Sequence, residues 1–371
     1  MSFIIKGRNC LAPFHRYLTS TRQFARASVK LYGQGQGHGR IRQLSTAATA
    51  EGVEDLYPSR AGICEVLPRK DPVIWTHKGI SAAGPLTNEE LNHYNQRGFL
   101  VLHDIFTTEE MKPVQDEINL FKTNAEHNIS EDEDPTLTAD SNFLTEPNTK
   151  KLRGIFAPHM HLPSVNRLTR SVKLISRAKQ ILADDVYIHQ SRVNMHQALV
   201  GNGHHWHTDF EIFHSEDGMP RMRGLTMVVM LNINTPQQGS LIVVPESHKI
   251  FIPTAKSTSL DSLETNSKFK IQYGAPDEAI LSELVDQHGI EYCNGDPGSV
   301  IIFDLNLVHA NQNNLSTLDR TNLFVVYNSM ENKLVKPFNA PWDRRPEHMA
   351  ARDKKWVQPL QPIENLLSEE N

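Results

Sequence analysis

At Tyr187-Ile188-His189-Gln190-Ser191-Arg192-Val193-Asn194 the chain changes its period. Before this stretch apolar residues recur at helical spacing. Over residues 164–182, Leu168, Val172, Ile175 and Ile181 or Leu182 form one stripe, which predicts a single helix. From Val186 the period is two, and further extended segments follow at 225–233, 240–244, 298–305 and 322–327. These are rich in Val, Ile and Phe and are punctuated by Asn234-Thr235-Pro236, Pro245-Glu246-Ser247 and Gly295-Asp296-Pro297-Gly298. No glycine-rich fingerprint of a strand–helix–strand unit is present. The expected fold is therefore mostly β with flanking helices, around a double-stranded β-helix, the cupin-like jelly roll.

Towards the N-terminus, Thr87 with Glu90 and Thr107 with Glu110 are capping-box pairs and predict two helix starts, with a short strand at 98–102 between them. Residues 57–85 are spaced by Pro58, Pro68, Pro72 and Pro85 and read as surface chain. Residues 123–150 are acidic and interrupted, and read as a loop or lid. Two parts are expected: a basic leader over 1–50, and one domain with N-terminal helices over 51–371.

The net charge of −5 conceals an asymmetry. Eight of the 38 basic residues and none of the 43 acidic ones fall in the first 50 positions, so the remainder carries −13. An acidic body offers no electrostatic reason to bind nucleic acid or an anionic membrane. No apolar run approaches the roughly 18 residues of a membrane helix. The leader is rich in Ser, Thr and Arg, and Phe14, Leu18, Ala25 and Val29 can share a helix face. With Arg42-Gln43-Leu44-Ser45 as a processing site, it reads as a mitochondrial transit peptide, the alternative being a disordered extension of a cytoplasmic protein. Cys10, Cys64 and Cys293 form no disulfide scaffold.

The chemistry begins at His207-Thr208-Asp209. In an extended strand residues two apart point to the same side, so an imidazole and a carboxylate can close on one ion. His309 follows the strand at 298–305 and supplies a third donor. Two His and one carboxylate cover one face of an octahedron and leave positions open, the arrangement of oxygen-activating Fe(II) sites. Catalytic zinc accepts the same donors, and an arbitrary His among 18 is more often a surface residue. Arg320 lies eleven residues beyond His309, where its planar fork could hold a carboxylate or simply pair with a surface acid. An iron face beside an anchored acid is what 2-oxoglutarate requires. Trp206, between His205 and His207, is expected to point away from the metal and pack on the opposite sheet.

These residues carry a family resemblance. Gln190-Ser191-Arg192-Val193-Asn194, His205 to Glu211, His214 to Arg223, Val244 to Lys249, Tyr273 to Asp277 and Tyr327 to Asn332 resemble the phytanoyl-CoA dioxygenase superfamily and, within it, the ectoine hydroxylases. The resemblance runs from about Leu56 to Leu360. It implies iron on His207, Asp209 and His309, with 2-oxoglutarate and O2 as co-substrates. It implies that Arg320 holds the distal carboxylate of 2-oxoglutarate, with Gln190, Asn194 and Asn311 nearby. Arg192 would face the cavity, Arg345 would meet the carboxylate of a small-molecule substrate, and Phe213 and Tyr327 would box its ring. It also implies a homodimer. Ile212-Phe213 stands where these enzymes usually carry Thr-Trp, and Asn311 where they carry Ser. The implied activity is hydroxylation of ectoine to 5-hydroxyectoine. The alternatives are the same chemistry on another amino acid, amine or acyl compound, or a non-catalytic metal-binding member of the fold.

Overall fold

Strand pairing organises everything from residue 186 onward in the computed structural model, which describes residues 52–60, 65–128, 142–146, 149–254, 276–340 and 344–368. The leader with its processing site, Cys10, Cys64 and Tyr273-Gly274-Ala275 lie outside the described residues. Apart from two-residue strands, three strands precede the jelly roll among the described residues: β1 (Phe99–Leu102), β2 (Phe143–Thr145) and β3 (Leu152–Phe156). The jelly roll proper is β4 (Val186–His196), β5 (His204–His207), β6 (Gly224–Met230), β7 (Leu241–Val243), β8 (Glu291–Cys293), β9 (Val300–Asp304), β10 (His309–Asn311) and β11 (Arg320–Ser329).

Strands β1–β11 divide between two sheets, as a double-stranded β-helix requires, and the two-residue strands form two small separate pairs. One sheet has the order β1-β9-β6-β11-β4-β3-β2 and the other β8-β7-β10-β5. Every pairing within them is antiparallel. Among the described residues, six helices longer than one turn accompany them, besides a single turn at Pro158–His161: α1 (Asn88–Arg97), α2 (Thr108–Asn128), α3 (Pro163–Thr169), α4 (Val172–Leu182), α5 (Asp209–Asp217) and α6 (Glu278–His288).

Both capping boxes form. The Thr87 and Thr107 amides donate to Glu90 and Glu110, and each glutamate's own amide donates back to the threonine hydroxyl. Gly98 ends α1 at φ +85, a backbone conformation that costs glycine least. The single helix expected over 164–182 is instead two, α3 and α4. Ser171 adopts a non-helical backbone and its hydroxyl caps α4 by accepting from the Lys173 amide. The stripe gave no warning, because both halves bury the same face: Leu168, Leu174, Ile175 and Ile181 all enter one core. The loop or lid expected over 123–150 also gives way in its described parts, where α2 continues to Asn128 and 143–145 is strand β2.

The larger sheet has two different faces. Val193 and Met195 of β4, Met227 and Val229 of β6, and Leu323 and Val325 of β11 pack under α1–α4 in the main core. The opposite face looks into the space between the sheets. There Val228, Met230, Ile301 and Phe303 meet Leu241 and Val243 of the smaller sheet and close one end. On β4 this inner row reads Gln190, Arg192, Asn194, His196, which keeps the other end open to polar ligands. Trp206 does turn away from this interior. It packs beside Val244, Val308, Ile280 and Leu281 on the α6 side, however, rather than on the opposite sheet.

Candidate metal centre

Strand β5 ends at His207, Thr208 is extended (φ −118, ψ 141), and Asp209 is the first residue of α5. The extended residue between them turns both side chains to one side. β10 runs antiparallel to β5 with His309 opposite His207. One donor atom from each of His207, Asp209 and His309 lies within 4.8 Å of the others. Asp209 Oδ1 is 3.8 Å from His207 Nε2 and 3.9 Å from His309 Nε2.

Backbone and side-chain partners orient all three. His207 Nδ1 is 2.7 Å from the His205 carbonyl, and His309 Nδ1 is 2.9 Å from that of Leu307. A carbonyl only accepts, so each Nδ1 carries the proton and each Nε2 lone pair faces the common centre. The Thr226 hydroxyl donates to Asp209 Oδ2 at 2.9 Å, which leaves Oδ1 turned towards the imidazoles. Burial, reinforced by neighbouring His207, pushes the pKa of His309 down to about 4 against the pull of Asp209. The ring is therefore neutral at physiological pH, as a ligand must be. The close β5–β10 pairing depends on Gly203, where a Cβ would lie 2.2 Å from the Asn311 carbonyl oxygen.

The cleft next to these donors has a volume of about 670 Å3, including its open mouth. Gln190, Arg192 and Asn194 line it from β4, Asn311 from β10, and Ile212 and Phe213 from α5. Arg320 is fully buried at the start of β11, opposite His196 of β4, and does not itself line the cleft. Its Nε and Nη2 have no hydrogen-bond partner within the protein. With the Asn322 amide turned to accept, its oxygen lies 2.7 Å from Nη1. Burial pushes the Arg320 pKa down to about 9, which still leaves a cation at neutral pH. Two adjacent buried N–H donors on a cation form a fork shaped for a carboxylate.

Two expected substrate contacts come out differently. Tyr327 is not in the cleft. Along β11, Arg320, Asn322, Phe324 and Val326 face inward, and Tyr327 has the opposite parity, so it enters the main core and donates to the Thr169 carbonyl at 2.6 Å. The aromatic that does line the cleft from this strand is Phe324, beside Val326. Counting in twos from Arg320 would have found it. Arg345 does line the cleft, but its fork is engaged: Nε and Nη2 donate to Asp217 at 2.7 and 2.6 Å. Thr226 and Met349 were also missed. Thr226 matters only through a residue distant in sequence, and Met349 arrives on the C-terminal tail.

A profile of the phytanoyl-CoA dioxygenase family (PhyH) matches residues 94–322. The ectoine dioxygenase of Sphingopyxis alaskensis is 40% identical over 307 residues, covering 81% of this chain and 96% of that protein. That of Streptomyces coelicolor is 35% identical over 305 residues, covering 82% and 97%. The crystal structure of EctD from S. alaskensis with 2-oxoglutarate and 5-hydroxyectoine superposes with a TM-score of 0.70 at 35% identity, covering 84% of this chain and all of that one. The same protein with bound Fe gives 0.69 at 36% identity over the same shares. Those relatives are bacterial, and bacteria have no mitochondria, so the expectation of a mitochondrial transit peptide is overturned. On the family match and on this shared architecture, the chain belongs to the phytanoyl-CoA dioxygenase family.

Proposed function

We propose that this protein is an Fe(II)- and 2-oxoglutarate-dependent dioxygenase that hydroxylates ectoine to 5-hydroxyectoine. The observation that carries the enzyme class is Arg320, a buried cation with two unmatched donors, which shares an interior with a two-His, one-carboxylate cluster. The donor set fits Fe(II), with three ligands on one side and the cleft on the other. Bound iron chelated by 2-oxoglutarate would use O2 to decarboxylate the co-substrate and to insert the second oxygen atom into an unactivated C–H bond. His207, Asp209 and His309 hold the metal in this reading, and Arg320 fixes the far carboxylate of 2-oxoglutarate. Asn194 and Asn311 flank the cleft between them.

The chain's own contribution is orientation and dryness. Phe213, Phe324 and Val326 form apolar wall, which keeps water from the reacting carbon. Ectoine is a cyclic zwitterion, and Gln190, Arg192 and Arg345 supply polar contacts around that wall. The likeness to ectoine dioxygenases over four-fifths of this chain favours ectoine among such molecules. A second reading, another small cyclic zwitterion, is favoured by one observation. The aliphatic Ile212 lines the cleft and offers no hydroxyl to a ring nitrogen or carboxylate.

A competition experiment separates the two readings. Iron-loaded protein with 2-oxoglutarate and ascorbate is given ectoine, proline and pipecolate together, and products are resolved by mass. Hydroxyectoine should dominate. A dominant hydroxylated product from another member would replace ectoine and leave the enzyme class standing, whereas no 2-oxoglutarate consumption with any of them would remove the class.

A further inference from the structure

Nearly every side chain of α5 is buried, including the acidic run at its end: Glu211, His214, Ser215, Glu216 and Asp217 are each at most 1% exposed. Such a helix is costly unless each polar group has a defined partner. Glu211 has one in Arg60, whose Nε and Nη2 each donate at 2.9 Å, and Glu216 meets the same guanidinium at 2.5 Å. Asp217 is the more telling case. A carboxylate in the last turn sits at the negative end of the helix dipole, where an anion is disfavoured. What holds it there is Arg345, which reaches both its oxygens, and His189, whose Nε2 is 3.2 Å from Oδ2.

His189 is itself held in an irregular place. Across β4 and β11, Val326 pairs with Gln190 but Tyr327 pairs with Ile188, so His189 is the extra residue of a β-bulge. Bulges re-aim side chains, and this one brings His189 to the same interior that Gln190 lines. Its ring packs edge-on against Phe213, with centroids 4.6 Å apart at 72°. A further tie comes from the tail, where Arg352 Nη2 donates to the Asp217 carbonyl.

We infer that Asp217 is a positioning residue for the substrate: steadied by the bulged His189, it clamps Arg345 and so fixes that guanidinium at the cleft. Helix α5 carries a metal ligand in its first residue and this clamp in its last, a span of roughly 12 Å at helical rise. The helix thus sets the distance from the metal to the far end of the substrate. Burial alone would raise the Asp217 pKa, but Arg345 and His189 hold it below the usual carboxylate range, so the clamp is ionised at neutral pH. The inference rests on the substrate reading above.

Its test is a double-mutant cycle on the iron-loaded enzyme, reading KM for ectoine and for 2-oxoglutarate separately. Asp217→Asn should raise the ectoine KM about tenfold, the scale of a lost charge-assisted bond. The KM for 2-oxoglutarate should move less than about twofold by the same reasoning. In an Arg345→Gln background Asp217→Asn should add little, because its effect travels through Arg345. Effects that multiply across the two positions, or equal changes in both KM values, would overturn the inference and leave Asp217 a purely structural residue. Should Asp217→Asn not fold, His189→Phe decides, since it keeps a ring and removes only the Nε2 contact. A selective rise in ectoine KM supports the inference, and no rise overturns it. Ectoine turnover by the unaltered enzyme is the control. If that alone fails, the substrate reading falls and the cycle is run on the zwitterion that is turned over.

Discussion

Thr226 lines the cleft, and its hydroxyl fixes which oxygen of Asp209 faces the two imidazoles. Groups that orient a metal ligand in this way typically contribute 10- to 100-fold in affinity. Thr226→Val should therefore weaken Fe(II) or Co(II) binding by about that factor, measured by titration of metal-free protein, with the melting curve little changed. Arg320→Gln should leave metal binding intact and raise the KM for 2-oxoglutarate about 10- to 100-fold, since a charged fork becomes a single neutral donor. Equal loss in both measurements for either variant would contradict these separate roles. The clustering of His207, Asp209 and His309 was legible because the His207–Asp209 pair is local in sequence and its spacing encodes a common face. Arg320 was legible as an Arg at the edge of the last strand. Tyr327 was misplaced because strand parity outranks residue type: it sits an odd number of positions from Arg320, and the sheet sends it to the other face. The engagement of Arg345 by Asp217 was not legible, because it joins residues 128 positions apart through a returning tail.

Elements carry the same logic one level up. The candidate metal centre is a junction of three short pieces: the end of β5, the start of α5 and the start of β10. Its rigidity comes from the β5–β10 pairing, and that pairing needs Gly203. Gly203→Ala would place a methyl 2.2 Å from the Asn311 carbonyl oxygen, with only backbone to move. Forced overpacking of this kind costs about 1–3 kcal/mol. The variant should lose metal affinity as well as stability, read as a weaker metal-induced rise in melting temperature. An unchanged rise would show that the strand separation does not control the site. The jelly-roll strands were legible from their period of two, and the capping boxes marked α1 and α2. The break between α3 and α4 was not, since a one-residue cap at Ser171 leaves the apolar stripe uninterrupted.

At the scale of the molecule, the sandwich is dry at one end and polar at the other, and the fold keeps buried imidazoles neutral both there, at His196, and on the outer side of β4, where His159 meets Ser191. Burial, with His161 nearby, pushes the pKa of His159 down to about 4. Burial and the neighbouring Arg320, Arg153 and Arg192 hold His196 well below the ordinary value. Such groups take up protons more readily once unfolded. Their stabilising effect is complete above roughly pH 6.5, the ordinary imidazole value, and is lost as pH falls towards the folded value. For His159 the loss between pH 6.5 and 4 is on the order of 3 kcal/mol. Denaturant midpoints of the metal-free protein should fall over that window, and His159→Gln should make the fall shallower; parallel slopes would contradict the assignment.

The central claim is tested most directly by isotope and stoichiometry in one reaction: ectoine, 2-oxoglutarate and 18O2 supplied to the iron-loaded enzyme. One 18O is expected in hydroxyectoine and one in succinate, formed in equal amounts, with both products lost in His207→Ala. Iron-loaded protein that forms no labelled hydroxyectoine, or incorporates its oxygen from water, would contradict the claim.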